Sequence, residues 1–166
     1  MPHRLRRRGD QIWGLRELQG RDLWKTQRAN RQARSALGMI RRHIDKGGSG
    51  HLENPKSSLF WHLVQKALAK QQKKGICRMV KCDMCAYGTP WKKPTSLLVW
   101  APESSSVSLK CCTGKQGLCS RTGLPHEQLS SSDSCVYAVK DGKCRTAFGQ
   151  VYPKRFISSL LSQLVL

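Results

Sequence analysis

Apolar positions recur every three to four residues towards the end of the stretch Arg21 to Ile44. There Ala33, Leu37, Ile40 and Ile44 line one face of a predicted helix. Arg28, Arg31, Arg34, Arg41 and Arg42 mostly fall elsewhere and give that helix a basic outer surface. Lys46-Gly47-Gly48-Ser49-Gly50 stops it, and only His51-Leu52 is then expected as strand before Glu53. Ser57 or Ser58 is placed to cap a second helix, with Phe60, Leu63, Val64, Ala67 and Leu68 as its apolar stripe. Lys70 to Lys74 forms its cationic end, where the helix dipole favours positive charge. Ile76 to Met84 reads as a strand, Pro94 to Trp100 as its partner, and Tyr87 to Lys93 as the turn between them. From Ser104 to about Gly149 the periodicity gives way to Gly, Ser, Thr and Cys. Pro153 opens a last helix, with Phe156, Leu160, Leu161 and Leu164 on one side. The expected class is α/β: a small sheet with flanking helices and a Cys-rich irregular insertion.

Composition adds a partner to this picture. The 166 residues carry 30 Lys and Arg against 10 Asp and Glu, a formal net charge of +20. A field of that sign and size suits a polyanion, and nucleic acid is the expected one, DNA before RNA. Met1–Arg8 reads as a basic arm whose Arg4, Arg6, Arg7 and Arg8 lie on a phosphate backbone. Residues 1–20 as a whole are expected to be disordered. No run reaches the eighteen or so apolar residues of a membrane span, and no apolar run follows the arginines as a secretory signal requires. An intracellular, nuclear location is the expectation.

Eight cysteines in a reducing compartment point to thiols or metal rather than disulfides. Cys82-Asp83-Met84-Cys85 is a Cys-x-x-Cys pair, followed by Cys111-Cys112, Cys119 and His126. Thiolate and imidazole together suit a tetrahedral zinc ion. One candidate set is Cys85, Cys112, Cys119 and His126, with Cys82 as a substitute. The rival is Cys112, Cys119, His126 and Cys135. Zinc would bring order to a segment that has little apolar content of its own.

Two further words carry a resemblance. Glu53-Asn54-Pro55 is followed about thirty residues later by Tyr87-Gly88-Thr89-Pro90-Trp91-Lys92-Lys93-Pro94-Thr95. This order resembles the second half of a DNA cytosine-5 methyltransferase. A narrower likeness covers most of the chain: Trp13-Gly14-Leu15, Glu53-Asn54-Pro55-x-Ser57-Ser58-x-x-Trp61, Cys85-x-Tyr87-Gly88, Cys119-Ser120-x-Thr122-Gly123-x-Pro125-His126 and Tyr152-Pro153. It is similar in style to methyltransferase-like proteins of dinoflagellate retroelement contexts. The resemblance implies a partial, Rossmann-type sheet over 21–102, a Cys/His segment over 103–149 and a C-terminal helix over 150–166. It makes Glu53 the acid that handles an extruded base, with Lys92 and Lys93 as supporting cations beside base and phosphate. The chain departs from the family at two points. None of its seven prolines is followed by cysteine, so the Pro-Cys nucleophile loop is not here, and neither is the Phe-x-Gly-x-Gly cofactor loop. The expectation is a methyltransferase-like, DNA-associated protein without activity alone. S-adenosylmethionine would enter only with a second polypeptide carrying the first half. The alternative is a zinc-stabilised basic module that binds nucleic acid without catalysis.

Overall fold

The computed structural model describes residues 5–101, 107–127 and 151–164. The predicted first helix forms as α1 (Gly20–Asp45), with Thr26, Asn30, Leu37, Ile40 and Ile44 buried on one face. Residues 5–19 do not form the expected disordered arm. A 3-10 turn at Gly9–Trp13 buries Ile12. The Arg6 guanidinium donates to the carbonyls of Ile12 at 3.2 Å and Thr26 at 3.1 Å, and Asn30 Nδ2 donates to the Trp13 carbonyl at 2.6 Å. The reason lies in Ile12, Trp13 and Leu15, apolar residues that a count of arginines hides. Gly14 permits the approach, with φ +134 and no space for a Cβ, which would sit 2.8 Å from Thr26 Cγ2.

Three strands follow: β1 (Gly50–Pro55), β2 (Cys77–Asp83) and β3 (Pro94–Trp100). Between β1 and β2 run α2 (Phe60–Ala67) and the short α3 (Ala69–Lys73). Ser58 Oγ accepts from the Phe60 N–H at 3.3 Å, but neither Ser57 nor Ser58 holds the expected cap position: Leu59 flanks the helix there and makes no side-chain cap bond. β1 is longer than expected and contains Glu53. Glycine at position 50 is what allows this, since a Cβ there would lie 2.7 Å from the Trp100 ring.

The sheet order is β1-β3-β2. Lys56 N–H donates to the Pro94 carbonyl and Met84 N–H to the Lys93 carbonyl, so each strand end meets the start of β3 and both neighbouring pairs are antiparallel. β1 and β2 thus point the same way, joined through helices, with β3 inserted between them in the manner of a split βαβ unit. The mixed α and β class holds. Doubly wound sheets, by contrast, are built mostly from parallel neighbours.

The chain divides into two compact units. Among described residues the first holds 5–50, 57–78 and 100–101, and the second 51–56, 79–99, 107–127 and 151–164. These units cut across the contiguous division expected from the sequence. In the second, the Cys/His segment and the last helix, α4 (Lys154–Leu164), fold with the sheet. Val80, Cys82, Leu97 and Val99 of the strands share one core with Met84, Tyr87, Val107, Phe156 and Leu160. A small sheet leaves an apolar face bare, and these later segments cover it.

Phe156 is the largest fully buried side chain of that core, 2% exposed. Its ring meets Tyr87 edge-on at 5.2 Å and stacks on Tyr152 at 5.7 Å. Truncation of such a residue leaves a cavity as well as losing transfer energy. Phe156→Ala should destabilise the second unit by about 3–5 kcal/mol, read as a shifted denaturant midpoint at unchanged slope. A change below about 1 kcal/mol would mean that α4 does not close this core. No helix of the described residues is long and apolar enough to cross a membrane.

Candidate metal centre

Beyond Val107 and Leu109, which pack on the sheet core, the segment after β3 is held mainly by its backbone. Gln116, at φ 53, and Gly117, at φ 80, form a tight knuckle, and Leu118 N–H donates to the Lys115 carbonyl at 3.0 Å. Leu118 and Pro125 then make an isolated antiparallel bridge. Cys119 N–H donates to the Leu124 carbonyl at 2.8 Å, and Gly123 N–H to the Cys119 carbonyl at 2.8 Å. Gly114 lies so close to the knuckle that a Cβ would meet the Leu118 carbonyl oxygen at 2.0 Å. The segment is fixed to the sheet side by Cys112 N–H, which donates to Asp83 Oδ2 at 2.8 Å, and by Arg121 Nε, which donates to the Cys85 carbonyl at 2.8 Å. Glu127 N–H closes the far end on the Pro90 carbonyl at 3.0 Å.

These bonds bring four side chains to one point. The ligand atoms of Cys85, Cys112, Cys119 and His126 all lie within 4.8 Å of one another. Four thiolates around one zinc would stand about 3.8 Å apart, given Zn–S bonds of about 2.3 Å. A small inward movement therefore closes the set on an ion. Cys85 comes from the 3-10 turn Met84–Tyr87 and the other three from the knuckle segment. His126 Nδ1 sits 3.0 Å from the Gly117 carbonyl, which is satisfied by the Nδ1–H tautomer, and its Nε2 then faces Cys112 Sγ at 3.6 Å. Metal-ligating histidines are commonly oriented in this way by a carbonyl on the second nitrogen.

The protonation pattern fits a cation. Hydrogen bonds from the Ser120 hydroxyl and N–H, at 3.5 and 3.4 Å, hold the Cys112 thiol down at about 6. Backbone donation, first from Arg121, lowers Cys119. Burial pushes Cys85 up to about 12, reinforced by the Cys112 thiolate beside it. Burial acts to lower His126, but hydrogen bonds with Cys119 and Cys112 outweigh it and raise the imidazole. Without a cation, the Cys85 thiol is thus driven towards its protonated form while Cys112 and Cys119 are driven towards thiolate. A divalent ion removes that difference and takes all three as thiolates.

Of the two candidate sets, the structure assembles the first. Cys82 does not substitute. It is buried in the sheet core, and burial pushes its thiol up to about 12. Cys135 and Cys144 lie outside the described residues, as does Arg4. Cys77 is buried, and Cys111 Sγ approaches the Lys81 carbonyl at 3.4 Å.

Glu53 lies on β1, away from these ligands in the chain, and its carboxylate has a partner that sequence reasoning missed. The Tyr152 hydroxyl donates to Glu53 Oε2, while Oε1 is buried with no hydrogen-bond partner among the described residues. Burial, followed by the bond to Glu53, raises the Tyr152 phenol. Lys93 Nζ sits 4.9 Å from the Tyr152 ring centroid, so one of the two predicted cations does reach the neighbourhood of Glu53. The Tyr152-Pro153 word was the available signal, but nothing in it named Glu53 as the target. Lys92 is half-buried, and Arg7 and Arg8 are exposed. Arg6 is not an outward phosphate contact, because two carbonyls hold its guanidinium inside the first unit. Trp61 is buried and Trp91 half-buried. Comparison with protein-family models, with curated proteins and with solved structures gives no match for this chain.

Proposed function

We propose that this protein is a basic nucleic-acid-binding module whose 107–127 segment is held in place by one zinc ion. The convergence of Cys85, Cys112, Cys119 and His126 within 4.8 Å carries the metal half of this reading. A closed set of four N and S ligands belongs to a structural site, since a catalytic one keeps a position open. The net charge of +20 carries the nucleic-acid half. The test is metal content. Purified protein should hold one zinc per chain, and Cys112→Ser or His126→Ala should lower that sharply. Protein that holds no zinc, and takes up none when zinc is offered, overturns the reading.

One observation favours a second reading, in which the chain is a methyltransferase-like DNA-associated protein. Glu53 presents a buried Oε1 that is unpartnered among the described residues, with Lys93 near its phenol partner. The exocyclic amino group of an extruded cytosine is a donor that suits that acceptor. On this reading the sheet is a partial Rossmann-type remnant, and S-adenosylmethionine arrives with a second polypeptide in the nucleus. Support comes from Glu53 and not from the antiparallel strand order. Labelled S-adenosylmethionine, DNA and a polypeptide carrying the two missing loops should together label the DNA. Glu53→Gln should abolish labelling while DNA binding stays nearly intact. Labelling that persists in the variant removes Glu53 from the role.

A further inference from the structure

The helical repeat gives α1 an outward face. At about 100° per residue, Arg28, Arg31, Ser35 and Arg42 fall within about 40° of Trp24, and Arg21 within about 60°. Leu37, Ile40 and Ile44 fall on the opposite side and are buried. Trp24 is 53% exposed, and Arg21, Arg28, Arg31 and Arg42 are exposed with it. The Arg28 guanidinium lies over the Trp24 ring, 5.4 Å from its centroid. Of the two carboxylates of α1, Asp22 falls on the other side and Asp45 closes the last turn. The result is a cationic stripe with one large aromatic surface near its start.

We infer that this stripe binds a single-stranded polynucleotide, with a base stacked on Trp24 and backbone phosphates held by Arg21, Arg28 and Arg31. The inference rests on the nucleic-acid reading above and names the form of nucleic acid. Four exposed arginines complement a polyanion. An indole adds affinity only where a base offers its π face, and in a duplex those faces are already stacked on each other. The Arg28 guanidinium over the ring adds a cation to the same platform. Stacking is indifferent to the sugar, so DNA and RNA strands share this chemistry.

The experiment is fluorescence anisotropy at fixed low salt with oligo(dT) and oligo(U) of about 15 nucleotides, within the site sizes of such surfaces. An abasic strand of equal length and a duplex complete the set. The intact protein should bind oligo(dT) about 5- to 100-fold more tightly than the abasic strand. Trp24→Ala should remove that difference and weaken oligo(dT) and oligo(U) by similar factors, while Trp24→Phe retains most of it. Duplex affinity should not change. Equal binding of abasic and base-bearing strands by the intact protein overturns the inference without any variant. So does a Trp24→Ala protein that binds single strands as tightly as before, or one that weakens on only one sugar type. Failure to bind any probe at low salt overturns the nucleic-acid reading itself.

Discussion

A strong chelator should melt the 107–127 segment while leaving β3 protected from hydrogen exchange. Apparent binding energies of structural zinc in small modules run to about 10–16 kcal/mol, as large as the whole stability of an ordinary domain. The segment has few other sources of order. Val107 and Cys119 are its buried apolar residues, against a strand β3 that is buried from Thr95 to Trp100. With the metal removed, the amides of Cys119, Gly123 and His126 should exchange far faster, because the ion no longer supports their hydrogen bonds within the knuckle. Cys112→Ser should reproduce the effect in the presence of zinc. The pH sense follows from the ligands. Cys85 gives up a proton held at about 12, and His126 must bind as neutral imidazole although its metal-free value is raised. Metal affinity should therefore fall as pH falls. Exchange rates indifferent to chelator would show that the four side chains meet without holding a metal.

The second large effect is on salt dependence. A protein that neutralises about 6–10 phosphates should lose about 10³–10⁵ in affinity between about 50 and 200 mM salt, through release of condensed counterions. A formal charge of +20 makes that range the expectation here, with little preference among sequences. The slope of log affinity against log salt counts the phosphates engaged. Each of Arg28→Ala and Arg31→Ala should reduce it by about one. Arg6→Ala should leave the slope unchanged and lower stability, because the Arg6 guanidinium bonds two carbonyls. Affinity unaffected by salt would mean that the charge meets some other partner.

Elements with dense local signals are legible in the amino-acid order itself. β3 runs Pro94–Trp100 as its apolar pattern predicts, since Leu97-Leu98-Val99-Trp100 is an unbroken run that only a central strand can bury throughout. α1 is legible within a residue or two at each end from its 3.6 periodicity. Ligand chemistry alone proposes Cys85, Cys112, Cys119 and His126, but spacing alone leaves Cys82 and Cys135 open. Choosing between them needs the turn after β2, which sends Cys82 into the core and Cys85 towards the knuckle. What stays hidden is long-range or inverted in sign. Tyr152 finds Glu53 across 99 residues, and no periodicity encodes such a pairing. Arg6 reads as a surface cation because arginine usually is one, yet its five donors also suit buried carbonyls.

The interleaving of the two units bears on how the chain is made. β1 ends at Pro55 and its partner β3 begins at Pro94, so the first strand leaves the ribosome well before the strand that completes it. At about 5–20 residues per second, a gap of nearly forty residues leaves β1 unpaired for seconds. During that interval α1 can already coil, since all its hydrogen bonds are local. Nascent α1 thus emerges as a cationic rod ahead of the sheet. Expression of either unit as one continuous fragment would sever it from strands lying elsewhere in the chain.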